Sequence, residues 1–203
     1  MTEQKPPILI NLPDELIGER VLVRPLRSGD GTVVYEAVDE SREQLDPWMP
    51  WAKNTKAADD SEVAARRGAA KWLLREDLMV GIWERETGRY LGGSGLHRID
   101  WSVPAFEIGY WIRTSAQGRG YVSETVRLLC GLAFETLAAK RVEIRCDALN
   151  VRSNAVPRRL GFVQEAILRS DCRGESGELR DTLIFAMTPE DYVRARESWG
   201  QSK

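Results

Sequence analysis

Apolar and polar positions change period several times along the chain, and each change marks an element. After a polar lead of about a dozen residues, read as a flexible segment over 1–12, the stretch Val21 to Leu26 alternates briefly around Pro25, the pattern of a first strand. Asp30 stands where a helix cap belongs. Val33, Val34, Ala37 and Val38 then recur at helical spacing, and the helix runs through Leu45 until Asp46-Pro47 stops it. Asp59, Asp60 and Ser61 put acidic residues at the positive end of a second helix, whose apolar side is expected to carry Val63, Ala70, Leu73 and Leu74 and which should stop near Asp77.

From Met79 the period shortens. Met79 to Glu84 predicts a strand, Glu86 to Arg89 a turn and Tyr90 to Ile99 the antiparallel partner, with Gly92, Gly93 and Gly95 permitting a bulge or a close backbone approach. Phe106 to Ile112 mixes aromatic and β-branched residues and is the clearest strand. A glycine-rich loop follows, then a helix over Ser123 to Leu137 and a strand over Arg141 to Ala148. That order is one βαβ crossover, so the strands at 106 and 142 should be parallel neighbours or nearly so. A short helix from Ser153 to Leu160, strands near 162–169 and 179–187, and a last helix opened by Thr188-Pro189-Glu190-Asp191 complete an α+β fold with a mixed, mostly antiparallel sheet.

Length fits one domain over 1–203 with a full core. The 29 Lys and Arg nearly cancel the 31 Asp and Glu, leaving a formal charge of -2 and no global positive field to hold nucleic acid or anionic lipid. The longest uncharged apolar stretch, Leu128 to Phe134, is too short to span a bilayer, and Met1 to Pro7 lacks the apolar segment of a signal peptide, so a cytoplasmic protein is expected. Cys130, Cys146 and Cys172 form no CxxC pair, which argues against a disulfide framework or a thiolate zinc site and leaves them as packing residues. The single histidine, His97, excludes multi-histidine metal centres. Isolated, with no partner motif, it reads as a surface or hydrogen-bonded strand residue. No metal is expected, and chemistry should fall to carboxylate, hydroxyl or backbone groups.

Gln117-Gly118-Arg119-Gly120-Tyr121-Val122 lies between the best strand and the best helix. Glycines there admit a ligand close to the backbone, and the first amides of a helix, at the positive end of its dipole, form an anion site suited to phosphate. The loop is not a Walker A, because no Gly-Lys-Ser/Thr follows, and Ser123 stands where a dinucleotide fingerprint needs its third glycine. By itself it is also compatible with an ordinary turn.

Some thirty residues on, Asn150-Val151-Arg152-Ser153-Asn154 and Arg159-Leu160-Gly161-Phe162 join the Gln117 loop in a pattern that resembles the GNAT superfamily of acetyl-CoA-dependent N-acyltransferases. The strand from Gly18 to Pro25, Trp48-Met49-Pro50-Trp51 and the Glu107 to Ile112 strand extend the likeness toward the RimJ/RimL branch, which acetylates ribosomal-protein N-termini and small amines. The resemblance implies a twisted sheet with splayed parallel central strands flanked by helices, and acetyl-CoA as co-substrate. It also implies that Gln117, Gly118, Arg119, Gly120, Tyr121, Val122 and Ser123 hold the pyrophosphate, with Val122 departing from the usual small residue. Pantetheine would lie between the strands near Ile112 and meet Asn150, with Ser153 and Asn154 by the thiol. A backbone N–H within Tyr110 to Ile112 would serve the oxyanion, and a homodimer is expected.

Amine acetylation needs a neutral nucleophile, a donor to the oxyanion and a proton for the departing thiolate. Glu107 stands where some relatives carry a general base; it reads equally as an exposed glutamate or an arginine's partner. A tyrosine acid usual in the superfamily is absent, since Pro157 occupies its place seven residues after Asn150. Ser153 is the implied substitute, while Ser153 or Asn154 also suits a helix cap. Trp48 and Trp51 read as an acceptor wall by resemblance, or as core. The expected activity is acetylation of a protein N-terminal α-amine; a small-molecule amine and a non-catalytic acyl-CoA-binding protein are the alternatives.

Overall fold

The computed structural model describes residues 6–174 and 176–199. Its strands are β1 (Leu16–Ile17), β2 (Val21–Pro25), β3 (Leu78–Glu84), β4 (Tyr90–Asp100), β5 (Ala105–Ile112), β6 (Arg141–Asp147), β7 (Val163–Arg173) and β8 (Leu179–Met187), and its helices are α1 (Gly31–Leu45), α2 (Pro50–Asn54), α3 (Ala58–Leu74), α4 (Tyr121–Gly131), α5 (Val151–Arg159) and α6 (Pro189–Trp199). One 8-stranded sheet carries the order β1-β2-β3-β4-β5-β6-β8-β7. Every pairing is antiparallel except β5 with β6, the crossover expected from the strand, loop, helix, strand pattern.

Two apolar clusters cover the faces of this sheet. The larger buries Phe106, Ile108, Val142, Ile144 and Phe185 against Val126, Leu129 and Cys130 of α4. The smaller buries Trp83 and Tyr90 against Val34, Ala37 and Val38 of α1 and Ala65 of α3. Alternation along β5 divides its side chains accordingly, Phe106, Ile108 and Tyr110 on the α4 side and Glu107, Gly109 and Trp111 on the α1 side.

Several boundaries differ from the pattern reading, each for a local reason. The buried face of α3 is Ser61, Ala65, Gly68 and Trp72, while Val63, Leu73 and Leu74 are exposed. Small residues face the sheet because the helix comes so close that a Cβ on Gly68 would meet the Met79 side chain. The helix starts at Ala58, its first turn fixed by Asp60, which accepts the amides of Lys56 and Ala57 at 2.8 and 3.0 Å. Asp30 precedes α1 but does not cap it through its side chain, since that carboxylate takes the Arg24 guanidinium and the Arg27 amide instead. The helix after the glycine loop changes to a π turn over Leu132–Thr136, closed by the Leu137 amide on the Leu132 carbonyl at 3.0 Å. α6 opens on a reciprocal Thr188–Asp191 capping box. Within the expected flexible lead, residues 1–5 lie outside the described residues, while Ile10 and Leu12 pack on the larger cluster and the Ile10 carbonyl accepts Arg75 Nη2 at 2.8 Å.

Candidate active site

The β5–β6 ladder holds three pairs, Ala105–Arg141, Phe106–Val142 and Glu107–Glu143, and then stops. Beyond Glu107 the two strands part, while β5 stays paired to β4 as far as Ile112 and β6 stays paired to β8 as far as Asp147. The result is a V between adjacent strands whose facing backbone groups have no ladder partner. Ile112, half-buried, ends β5 at the open side of the V.

α4 begins at this open end. Gly118 and Gly120 have φ of +72° and +80°, a region that favours glycine, and no atom lies within 4 Å of where a Gly118 Cβ would stand. The first bond of the helix is Glu124 N–H to Gly120 O at 3.1 Å, so the amides of Tyr121, Val122 and Ser123 point out of its positive end. An anion fits this arrangement. The loop is braced from every side: Gln117 bonds Gln44 of α1 at 2.6 Å and accepts Arg152 of α5 at 2.7 Å, Arg119 O accepts Arg20 at 2.7 Å, and Ser123 Oγ lies 3.4 Å from Arg159 Nη1. Arg20 also pairs with buried Glu124 at 3.1 Å and lies over the Tyr121 ring. The sequence places Arg20 in the opening strand from Gly18 to Pro25, with no role at the glycine loop.

On the α4 side of the V, four polar side chains meet. Tyr110 OH donates to Ser153 O at 2.9 Å, and Ser153 Oγ lies 3.3 Å from the same hydroxyl. Burial pushes the Tyr110 phenol well above its ordinary pKa, so it stays protonated. Burial also pushes the Cys146 thiol up to about 11, against a weaker opposing contact with Ser153, and the thiol donates to Asn154 Oδ1 at 2.7 Å. Asn154 in turn donates to Ala148 O at 3.0 Å, so its amide is tied at both ends. The cap of α5 is neither Ser153 nor Asn154 but Asn150, whose Oδ1 accepts the Ser153 amide at 3.1 Å. Strand alternation alone would place Tyr110 opposite Glu107, but only the α5 contact reveals its partner.

The α1 side is aromatic and acidic. Trp51, 40% exposed, starts a ring chain to Trp111 at 5.6 Å, Tyr90 at 6.0 Å and Trp83 at 5.3 Å. Trp48 lies under Arg180 of β8, which also reaches Pro47 O and Asp147. The segment from Pro47 to Trp51 therefore crosses the V from the β8 side to β5, with Trp51 exposed and Trp48 half-buried. Glu107 pairs with Arg98 at 3.4 Å, aimed there by a bulge between His97 and Asp100 in which Arg98 has φ +46°. Burial raises the Glu107 pKa, with Arg98, Arg145 and His97 holding it back. His97, opposite Glu107 in the β4–β5 register, places Nδ1 3.0 Å from both carboxylate oxygens of Asp77. Among the described residues no group of three or more His, Cys, Asp or Glu could hold a metal ion, and no helix is long and apolar enough to cross a membrane.

A family model described as the acetyltransferase (GNAT) domain matches residues 20–163, from the start of β2 to the start of β7. The chain belongs to the GNAT acetyltransferases. Among curated GNAT relatives, YdaF of Bacillus subtilis (strain 168), a ribosomal N-acetyltransferase by name, is 30% identical over 181 residues, 87% of this chain and 95% of that one. The ribosomal-protein-serine acetyltransferase of Escherichia coli (strain K12) is 25% identical, over 67% of this chain and 75% of its own. Among solved GNAT structures, the RimL ribosomal alpha-N-protein acetyltransferase in complex with coenzyme A shares the fold at TM-score 0.80 and 19% identity, covering 86% of this chain and 97% of that one. The microcin C7 self-immunity acetyltransferase MccE, in complex with acetyl-CoA and AMP, does so at 0.79 and 20%, over 84% and 93%. The protein is thus an N-acetyltransferase that uses acetyl-CoA, and the V and the α4 amides have the chemistry that co-substrate requires.

Proposed function

We propose that this GNAT enzyme acetylates the α-amine of a protein N-terminus, of the kind its ribosomal-protein-acetylating relatives are named for. The observation that carries this reading is the acceptor side of the V, where Trp51 is 40% exposed against Trp111 and the same face of β4 and β5 carries the half-buried carboxylate Glu107 and, through His97, Asp77. An aromatic wall open to solvent admits a chain end, and the carboxylates attract its ammonium.

In this reading the α4 amides and Gly118 to Ser123 hold the pyrophosphate, and the arms of the V hold pantetheine near Ile112 and Asn150. Glu107 draws the ammonium toward the thioester. Nitrogen attack forms the C–N bond, a β5 backbone amide within Tyr110 to Ile112 receives the oxyanion, and breaking the C–S bond sends the electron pair to sulfur. Ser153, backed by the Tyr110 hydroxyl, passes that sulfur a proton.

Thiol release from acetyl-CoA tests the acceptor. Peptides with a free N-terminal Ser or Ala should be turned over, and the same peptides with a blocked N-terminus should not. Preference for small primary amines over every peptide would overturn the reading in favour of a detoxifying role. Ser153→Ala and Tyr110→Phe test the acid: both should lower kcat with little change in melting temperature, and a loss of stability alone would remove Ser153 from the role.

A further inference from the structure

We propose that His97 is the general base of acetyl transfer and that Asp77 is the positioning residue that holds its imidazole in the required tautomer. The proposal rests on acetyl transfer to an amine, and not on which amine that is.

A carboxylate only accepts hydrogen bonds. The nitrogen facing Asp77, Nδ1, therefore carries the hydrogen of the neutral ring, and Nε2 is left with its lone pair bare. Two glycines set where that lone pair lies. The ring is laid along β4 over Gly95 and across to β5 over Gly109, with Nε2 2.8 and 3.7 Å from where their Cβ atoms would stand. A side chain at Gly95 would displace the imidazole. Gly109 is the second residue of β5 beyond the last β5–β6 pair, so Nε2 lies over the backbone at the point where the strands part. The Tyr110–Ser153 pair is on the opposite face of the same stretch of β5. A proton acceptor thus lies on one side of the V and a proton donor on the other, which is the arrangement acyl transfer from sulfur to nitrogen needs.

The charged groups around His97 support the division of labour. Asp77 faces it from the loop between α3 and β3, Glu107 from the opposing position of β5, and Arg98 follows it in β4. Glu107 faces the Arg98 guanidinium at 3.4 Å, so although burial raises its pKa, a proton taken there must displace that cation. The ion pair found at His97 among the described residues is with the carboxylate of Asp77. The His97 side chain is 28% exposed and that of Asp77 26%, which lets the acquired proton return to water.

In the step itself, the acceptor R–NH3+ gives one proton to Nε2. The freed lone pair forms the C–N bond, and the C–S bond breaks with its electrons on sulfur. Nε2 hands its proton to water and takes the remaining extra proton of the new amide nitrogen, while Ser153 gives sulfur a proton to leave as a thiol and is reprotonated from water. The products are the amide, CoA thiol and one net proton released to water.

Because the chain has 1 histidine, nitrogen-15 labelling of histidine reads this ring alone. The neutral wild-type ring should show the Nδ1–H tautomer, and Asp77→Asn should shift it toward Nε2–H. His97→Gln should lose about 100-fold in kcat/KM at neutral pH while keeping its affinity for acetyl-CoA by calorimetry, with activity recovering as rising pH supplies free amine. Asp77→Asn should lose less, in kcat and not in KM. An Nε2–H tautomer in the wild type would overturn the proposal. So would a His97→Gln enzyme within about twofold of wild type at every pH while Glu107→Gln displaces the profile. Should peptides prove inert and small amines active, the acceptor reading falls, and the same profiles taken with the small amine still decide the base.

Discussion

Asn150 joins two functions in one hydrogen bond, because the Ser153 amide that its Oδ1 accepts in capping α5 belongs to the residue whose hydroxyl faces Tyr110. Asn150→Ala should therefore lower stability by about 1 kcal/mol, the usual value of such a cap, and also lower kcat by letting Ser153 drift. Asn150→Asp keeps an acceptor at the helix start and should restore the melting temperature. Thermal melts paired with turnover check both halves, and a full loss of kcat with no change in melting would refute the shared role. The motif around Asn150 marks the site in the sequence, but the cap position does not follow from composition. Asn150, Ser153 and Asn154 are all good caps, and only the turn closing β6, with Asn150 N–H on Asp147 O at 3.0 Å, decides which one reaches the helix.

At the scale of elements, Glu124 links the first turn of α4 to the start of β2. Buried at 5% exposure, it accepts the Arg20 amide at 2.8 Å, the Val21 amide at 3.3 Å and Arg20 Nε at 3.1 Å, while Arg20 itself holds the Arg119 carbonyl of the glycine loop. Removing the carboxylate leaves two strand-end amides without a partner. Glu124→Ala should cost about 2–3 kcal/mol and weaken acetyl-CoA binding, since the loop loses its brace. Calorimetric affinity and melting temperature should fall together; unchanged affinity would show that the loop is rigid without the Glu124 carboxylate. Period was enough to place α1, α4, β5 and β6, where Val34, Val38 and Leu45, then Val126 and Leu129, and then Phe106, Ile108, Val142 and Ile144 are buried at regular spacing, although Val33 of α1 is exposed. It misread the face of α3 because close packing selects the smallest residues, Ala65 and Gly68, which a hydrophobic pattern passes over. The five-residue α2 and two-residue β1 are too short to leave a periodic trace.

For the whole molecule, the adjacency of β5 and β6 was legible because topology dictates it, a strand, a glycine loop, a helix and a second strand bringing the two side by side, whereas their parting into a V was expected only from the resemblance to the GNAT family. The partners of the site residues were not legible, since Trp48 meets Arg180 and Asp77 meets His97 only through tertiary contact between distant segments. The same long-range ties govern behaviour in acid. Glu40 of α1 bonds the Ser115 amide at 2.9 Å and Arg113 Nε at 2.8 Å, fixing the segment that leads from β5 into the glycine loop. The Arg113 guanidinium holds its carboxyl down from 4.5 to about 2, with burial opposing. A carboxyl with a depressed folded pKa stabilises the fold fully above its unfolded value and loses that contribution as pH falls through the folded one. Glu40→Gln should thus be less stable than wild type by about 1–2 kcal/mol at neutral pH, allowing for solvent screening, and the gap should close between about pH 4.5 and 2. Glu107 has the opposite sign, because burial raises its pKa and its ionised form opposes folding above that value. Glu107→Gln should therefore melt no lower than wild type at neutral pH even as it loses activity. Denaturant titrations of both variants across that acid range separate the two signs. A Glu40→Gln gap that persisted at the acid end would mean that the helix is held by packing and not by the carboxylate.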